Sequence, residues 1–479
     1  MFEFGLFRIE PLAPVYVYKI PRGSVRGNWG ASEIVIRAER SLRGRLGARR
    51  RAVIDNGPCP RSERGLVNSR SDIEGGDMKT KESLLGGITV AIAVIGFLAV
   101  AECVLRFLPV RTSPPIVPVT QIDPVFRFTP NRSFVFSKDW DLAMVNYSHT
   151  NNDGWVNKLD YRKEDPLPLI GVIGDSYIEA LSVPPDSTAQ AHLSESLKEQ
   201  FRVYSFAASG APLSQYVVWA AYAVREYKAK ALIINVVGND FDESHLSYSQ
   251  HVPGFWIYVP EPSGELRLQL LEHHPGAMRS FLKMSTLARY LFLNLNVKEA
   301  LLNAKWGSFV FGEHYRDPKV YAGNTSASPD PARIEASIAA INAFFRDLPK
   351  YTGLQPDRIV FTMDGFRYPD AANAGKGSYY DIMRTLFRKT AETLGYEVID
   401  MDPLFFADFQ LHGGRFEYPR DAHWNPTAHA MVAKAMLSSK LIGRLQCSLD
   451  NSCEGERGND QASAEGRVPG QAAREPRPK

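Results

Sequence analysis

Leu169-Ile170-Gly171-Val172-Ile173-Gly174-Asp175-Ser176 is an apolar run that ends in a turn and a serine. The run is too short for a buried helix and has no polar alternation, so it reads as a strand buried on both faces. The turn places Ser176 at the strand's carboxyl end, where Tyr177 to Leu181 can open a helix. Far downstream, Asp421-Ala422-His423-Trp424-Asn425-Pro426 supplies a carboxylate and an imidazole. Asn425 suits a helix N-cap and Pro426 the first helical position, so a helix is expected to start just after His423. Serine is a poor nucleophile without a base. Together the two segments hold the minimum apparatus for acyl transfer through a serine ester.

Outward from this run, four more apolar segments are expected as strands: 202–206, 231–237, 358–363 and 396–401. Helical periodicity lies between them. Ile334, Ile338, Ile341, Phe345 and Leu348 recur at steps of four and three, and a second helix is expected over 379–394. Continuously apolar strands alternating with helices indicate a parallel sheet covered on both faces, with ligands bound at the carboxyl ends of its strands. Ser209-Gly210 follows the second strand, and Gly238-Asn239-Asp240 the third. Gly210 can admit a backbone N–H close to a ligand, and the Asn239 amide can donate into the same crevice. Read blandly, both are ordinary turns, and Asp175 is a residue that braces its own loop.

Residues 241–330 break the rhythm. They carry aromatics, Pro/Gly turns and an expected helix near 278–304 without a clean strand period, and read as an insertion on the rim above the sheet. Residues 109–166 read as a Pro-rich stalk and irregular lead-in. The catalytic domain is placed at 167–445, followed by a polar, disordered tail over 446–479.

Leu84 to Ala101 is an uncharged apolar run. At 1.5 Å per residue it reaches roughly 27 Å, close to the thickness of a bilayer's hydrocarbon core. A signal peptide would have a shorter core and a cleavage site, and a buried soluble helix would show a polar face. The reading is an uncleaved anchor over 78–108, in contact with lipid through 84–108. Lys79 and Lys81 precede it, with Arg61, Arg64 and Arg70 further upstream. Positive flanking charge places the N-terminus in the cytoplasm and the bulk of the chain in the periplasm or outside the cell. Residues 1–77 are Arg-rich, with Lys19 their only lysine. They are expected to be either an artefact of the assigned start, with translation beginning at Met78, or a disordered arm.

The remaining composition excludes several classes. The 479 residues are 44% hydrophobic and 23% charged with a net charge of +3, ordinary for a globular chain. No basic stripe with interleaved aromatics points to nucleic acid. The four cysteines, Cys59, Cys103, Cys447 and Cys453, form no CxxC pair, so no metal site is expected. Cys447 and Cys453 either form a disulfide or are two unrelated thiols.

In these blocks the sequence resembles the SGNH hydrolases, or GDSL-type esterases and lipases. Gly174-Asp175-Ser176 matches the first block, Gly210 the glycine of the second, and Gly238-Asn239-Asp240 the common Gly-Asn-Asp variant of the third. The usual last block is Asp-x-x-His; here Arg420 stands at that Asp position and the spacing is Asp421-x-His423. This shorter Asp-x-His-Trp form is similar to that of bacterial envelope polysaccharide acetyltransferase relatives. Asn151-Asn152-Asp153-Gly154-Trp155 resembles the lead-in of membrane-anchored members. No G-x-S-x-G elbow is present. The resemblance covers about 120–442. It implies a three-layer α/β/α fold with a mainly parallel, five-stranded, flavodoxin-like sheet behind one N-terminal transmembrane helix. It further implies Ser176 as nucleophile, His423 as base, Asp421 as its orienting acid, and Ser176, Gly210 and Asn239 as oxyanion donors. Neither metal nor organic cofactor is required. The expected activity is hydrolysis of acyl, foremost acetyl, esters on an envelope carbohydrate or related polymer. An O-acyltransferase with the same triad and an inactive carbohydrate-binding module are the alternatives.

Overall fold

The computed structural model describes residues 71–276, 283–297 and 327–450. The expectations for most of the 1–77 extension, for the middle of the 241–330 insertion, for the tail past residue 450 and for a Cys447–Cys453 bridge lie outside the described residues. The chain divides into two compact units at Asp77/Met78, and the second, Met78–Lys479, contains the sheet and every candidate site residue.

The strands in chain order are β1 (Arg132–Lys138), β2 (Met144–Thr150), β3 (Leu169–Gly174), β4 (Arg202–Ala207), β5 (Ala229–Val236), β6 (Trp256–Pro260), β7 (Leu266–Leu270), β8 (Ile359–Met363), β9 (Glu397–Asp400), β10 (Glu417–Tyr418) and β11 (Asp421–Trp424). Five of them form the central sheet in the order β4-β3-β5-β8-β9, and every neighbouring pair is parallel. The chain leaves β3 toward β4 on one side and returns to β5 on the other. The order therefore reverses beside β3, and the crevice at that switch point is where such sheets bind ligands. Helices cover both faces, as the uniformly buried residues of β3 and β8 require. The long helices Leu213–Tyr227, Pro331–Thr352 and Tyr379–Thr393 supply much of the cover.

A glycine at the end of β3 lets the next element fold back. A Cβ on Gly174 would lie 2.4 Å from Ile178 Cγ1, so only a residue without one allows the helix Ser176–Glu179 to turn so tightly onto the strand.

The lead-in is not a stalk: Val119, Val125, Phe126, Trp155 and Tyr161 are buried in the main core. Trp219 Nε1 donates to the Phe126 carbonyl at 3.1 Å, and Trp256 Nε1 donates to that of Pro124 at 2.9 Å. The Asn-Asn-Asp-Gly-Trp segment is a turn held by the Asn151 side-chain oxygen, which accepts from the Asp153 and Trp155 N–H groups. The lead-in also holds the antiparallel hairpin β1–β2. The insertion likewise carries an antiparallel pair, β6–β7. Within the expected helix near 278–304 the described part is helical, with an α-helical turn Thr286–Arg289 continued by a wider helical turn Tyr290–Asn294. The final helix, Lys440–Asp450, runs past the expected domain end at 445.

One helix, Ser71–Leu105, contains the apolar stretch Leu84–Leu105, which is long and apolar enough to cross a bilayer and is exposed along its length. Glu102 near its end accepts from Ser285 Oγ at 2.9 Å and from the Thr286 and Leu287 N–H groups at 3.0 and 2.8 Å. The insertion is thereby seated on the end of that helix.

Candidate active site

Ser176 is the first residue of its helix, and Asp175 is the N-cap. The Asp175 carboxylate accepts from the Tyr177 N–H at 2.9 Å, the bracing role that the plain reading of this turn assigns to it. His423 arrives from β11, just before the helix Pro426–Leu437. Asn425 caps that helix, its side-chain oxygen accepting from the Ala428 N–H at 3.0 Å.

The two segments meet over the carboxyl edge of the sheet. His423 Nε2 lies 2.8 Å from Ser176 Oγ, and His423 Nδ1 lies 2.5 Å from Asp421 Oδ1. The second carboxylate oxygen of Asp421 accepts from Ser182 Oγ at 2.9 Å and faces Lys138 Nζ at 3.5 Å. Burial pushes the Asp421 carboxyl up. The charge and hydrogen bonds of His423 and the charge of Lys138 outweigh it and hold the group well below the usual carboxylate range. An ionised carboxylate only accepts hydrogen bonds. Nδ1 of His423 must then carry the proton, and Nε2 is left as the acceptor for the serine hydroxyl.

Ser176 Oγ has a second acceptor within reach, Asp175 Oδ2 at 3.2 Å. Burial dominates the Asp175 carboxyl and raises it to about 6, against the pull of the Tyr177 N–H and of His423. The hydroxyl has one proton, and the shorter contact is the one to His423.

The imidazole loop is fixed from behind. Arg367, fully buried, donates through Nη1 to the Ala422 carbonyl at 2.7 Å and through Nη2 to Tyr177 Oη at 2.9 Å. The Tyr177 hydroxyl in turn donates to the Ala422 carbonyl at 3.1 Å. Asp364 balances the guanidinium charge, with Oδ2 2.5 Å from Nη2, and accepts from Trp424 Nε1 at 3.0 Å. One network thus ties Tyr177, the residue after Ser176, to both neighbours of His423.

The expected oxyanion donors stand on neighbouring strand ends. Gly210 follows β4 and Asn239 follows β5, on either side of β3 and Ser176. Gly210 has φ +77° with open space where a Cβ would be. Glu179 accepts from the Ser209 N–H at 2.8 Å and from its hydroxyl, which holds this turn against the helix Ser176–Glu179. The Asn239 amide donates to Glu243 Oε2 at 2.9 Å. Burial raises the Glu243 carboxyl to about 7. Gly210 and Glu243 line one small cavity of about 10 Å³, the size of a single water.

Ser176, Gly210 and Asn239 therefore lie at the carboxyl ends of β3, β4 and β5, and Asp421 and His423 on β11. Ser176, Asp421 and His423 are brought into direct contact. Lys138, Ser182, Tyr177 and Arg367 were not anticipated. They lie outside the four blocks, and only Tyr177 adjoins one.

No protein-family model matches the chain, and no curated protein matches it. Solved structures do match. An acetyl xylan esterase is 12% identical, covering 56% of this chain and 98% of its own, with a TM-score of 0.32. A two-domain esterase active on acetylated mannans is 11% identical, covering 58% of this chain and 50% of its own, with a TM-score of 0.30. A member of the lipolytic G-D-S-L family from Veillonella parvula is 12% identical, covering 57% of this chain and 97% of its own, with a TM-score of 0.28. At these TM-scores the likenesses carry no argument, and the reading of the chemistry rests on the site's own geometry.

Proposed function

We propose that this chain is a serine esterase that removes acyl groups, foremost acetyl, from a carbohydrate or related envelope polymer. One observation carries the chemistry: Ser176 Oγ, His423 Nε2, His423 Nδ1 and Asp421 Oδ1 form an unbroken chain of contacts at 2.8 and 2.5 Å.

In this reading Ser176 Oγ attacks the ester carbonyl carbon while its proton passes to His423 Nε2. Asp421 stabilises the imidazolium and holds its tautomer. The tetrahedral oxyanion faces the Ser176 and Gly210 N–H groups and the Asn239 amide; one such donor contributes about 2.7–4 kcal/mol at the transition state. The C–O bond then breaks, and the leaving alcohol takes the proton back from Nε2. Water, deprotonated by the same imidazole, attacks the acyl-serine, releases the carboxylic acid and restores Ser176. The acetylated-carbohydrate class rests on the Asp421-x-His423-Trp424 form of the last block. The helix Leu84–Leu105 would anchor the enzyme, with Lys79 and Lys81 on the cytoplasmic side and the catalytic domain in the periplasm or outside the cell.

The test is hydrolysis of a short-chain aryl acetate by the full chain in detergent. Ser176→Ala and His423→Ala should each lower kcat by about 10³-fold or more. Variants that keep the wild-type rate would refute the assignment. Release of acetate from an acetylated glycan supports hydrolysis. Transfer to an added sugar, with no release into water, would replace hydrolase by transferase.

A further inference from the structure

We propose that Lys138, on the hairpin β1–β2 that comes after the apolar helix, is a positioning residue for the Asp421–His423 pair and, through Asp421, sets the pH dependence of Ser176 reactivity. The inference rests on the serine-esterase reading and adds to it a residue outside all four blocks.

Lys138 Nζ stands 3.5 Å from Asp421 Oδ2, on the side of the carboxylate opposite His423. The Asp421 side chain is only 3% exposed, so this pair is screened far less than one between two surface groups. The hairpin is also held in place. Arg420, directly before Asp421, bridges Asp139 at 3.3 Å and Asp141 at 2.8 Å across the hairpin's turn. Asn146 Nδ2 on β2 donates to the Leu181 carbonyl at 3.1 Å, beside the Ser182 that supports Asp421. Asn294 Nδ2 donates to Ser137 Oγ at 3.0 Å. Residues on both sides of Lys138 are thus tied down, and its ammonium is presented to the carboxylate by a fixed backbone.

The other groups facing the pair come from several elements. Asp421 also feels Arg111, whose guanidinium lies 4.6 Å from the centre of the Phe136 ring, as well as Asp139 and Tyr418. His423 faces Ser176, the Asp175 carboxyl, the Tyr177 ring at 4.9 Å, and His429 on the following helix. Arg367 meets the β10–β11 hairpin through the Ala422 carbonyl at 2.7 Å and the Glu417 carboxylate at 3.5 Å. Among the described residues, Lys138 is the cation outside the triad at ion-pair distance from Asp421. Its charge offsets part of the negative charge that favours the imidazolium. Removing it leaves more uncompensated negative charge beside the pair, so the reactivity of Ser176 should rise only at a higher pH. The hairpin is on this account a working part of the catalytic unit.

The test needs no natural substrate. The full chain in detergent is labelled with a fluorophosphonate, which reacts with an activated serine, across pH from about 5 to about 9. Lys138→Gln should move the midpoint of the labelling rate upward by about 1 unit. Lys138→Arg, which keeps the charge, should return the midpoint to the wild-type value. Lys138→Met carries the same expectation as Gln and serves if Gln does not fold. A wild-type midpoint in a folded Gln or Met variant overturns the proposal. Unfolding of both assigns Lys138 to stability and overturns it as well. Absence of labelling in the wild type, or labelling that survives Ser176→Ala, instead overturns the serine reading beneath it.

Discussion

Ser182 Oγ donates to Asp421 Oδ2 at 2.9 Å across 239 positions of sequence. The bond ties the loop after the helix Ser176–Glu179 to the carboxylate that contacts His423 Nδ1. Asp421 needs such partners because it is buried, and a buried carboxylate is costly unless it is paired and hydrogen-bonded. His423 occupies one of its oxygens, and Ser182 and Lys138 share the other. The carboxylate lies on a short strand, β11, and also accepts from the His423 N–H at 3.1 Å.

Asp421→Asn should show that the carboxylate sets the tautomer. An amide can donate to Nδ1 and so move the proton to Nε2, where it cannot accept from Ser176. Turnover of the aryl acetate should fall by about 10⁴-fold with KM little changed. Ser182→Ala leaves the His423 contact in place, and its loss should stay near tenfold. The asparagine variant should also lose a pH-dependent part of the stability. The folded Asp421 carboxyl is depressed, so its contribution is complete above the unfolded value near 3.9 and fades as the pH falls below it. Equal turnover in Asp421→Asn and the wild type would remove Asp421 from the mechanism.

His429 predicts an acid sensitivity separate from catalysis. It is buried, and its Nδ1 accepts from the Ala189 N–H at 3.2 Å. Burial first, then the charges of His423, His192 and Arg367, hold it down to about 3. The unfolded chain takes up a proton near 6.5 while the folded chain does not, so stability drains as the pH falls from about 6.5 toward 3. Compared by thermal unfolding, the wild type should lose its advantage over His429→Gln by about 1.4 kcal/mol for each pH unit in that window. A constant difference between the two proteins from neutral to acid pH would show that His429 is protonated in the fold.

Much of this arrangement can be read in the chain because its signals are local. The apolar runs that become β3, β4, β5 and β8 need no tertiary information, nor does the Asn425-Pro426 start of the helix after His423. The hairpin β1–β2 is hidden for a different reason. Phe134 and Phe136 face inward on β1, but β2 is half-buried along most of its length and shows no clean alternation. Proline-rich neighbours also make the region look extended and unpacked. Strands as short as β10 and β11 give no period at all. Lys138 and Arg367 mark a deeper limit. Which cation meets Asp421 or Ala422 is decided by how the hairpin and the β8 loop come together in space, and neither residue has a neighbour in sequence that announces it.

Gly174→Ala tests why the nucleophile sits on a glycine turn. The added Cβ would meet Ile178 Cγ1 at 2.4 Å and Ile178 Cβ at 3.0 Å, both in a fully buried side chain that cannot swing aside. Overpacking of this kind costs about 1–3 kcal/mol. The strain would fall on the helix that carries Ser176, so turnover should drop together with the unfolding temperature. Ile178→Ala alone leaves a cavity and is itself destabilising by about 2–5 kcal/mol. Combined with Gly174→Ala it makes room for the new methyl group, so the double variant should lose less stability than the two single losses added together. Strict additivity, or an alanine variant as stable and active as the wild type, would show that the backbone can relax and that the glycine is not what lets the helix close onto β3.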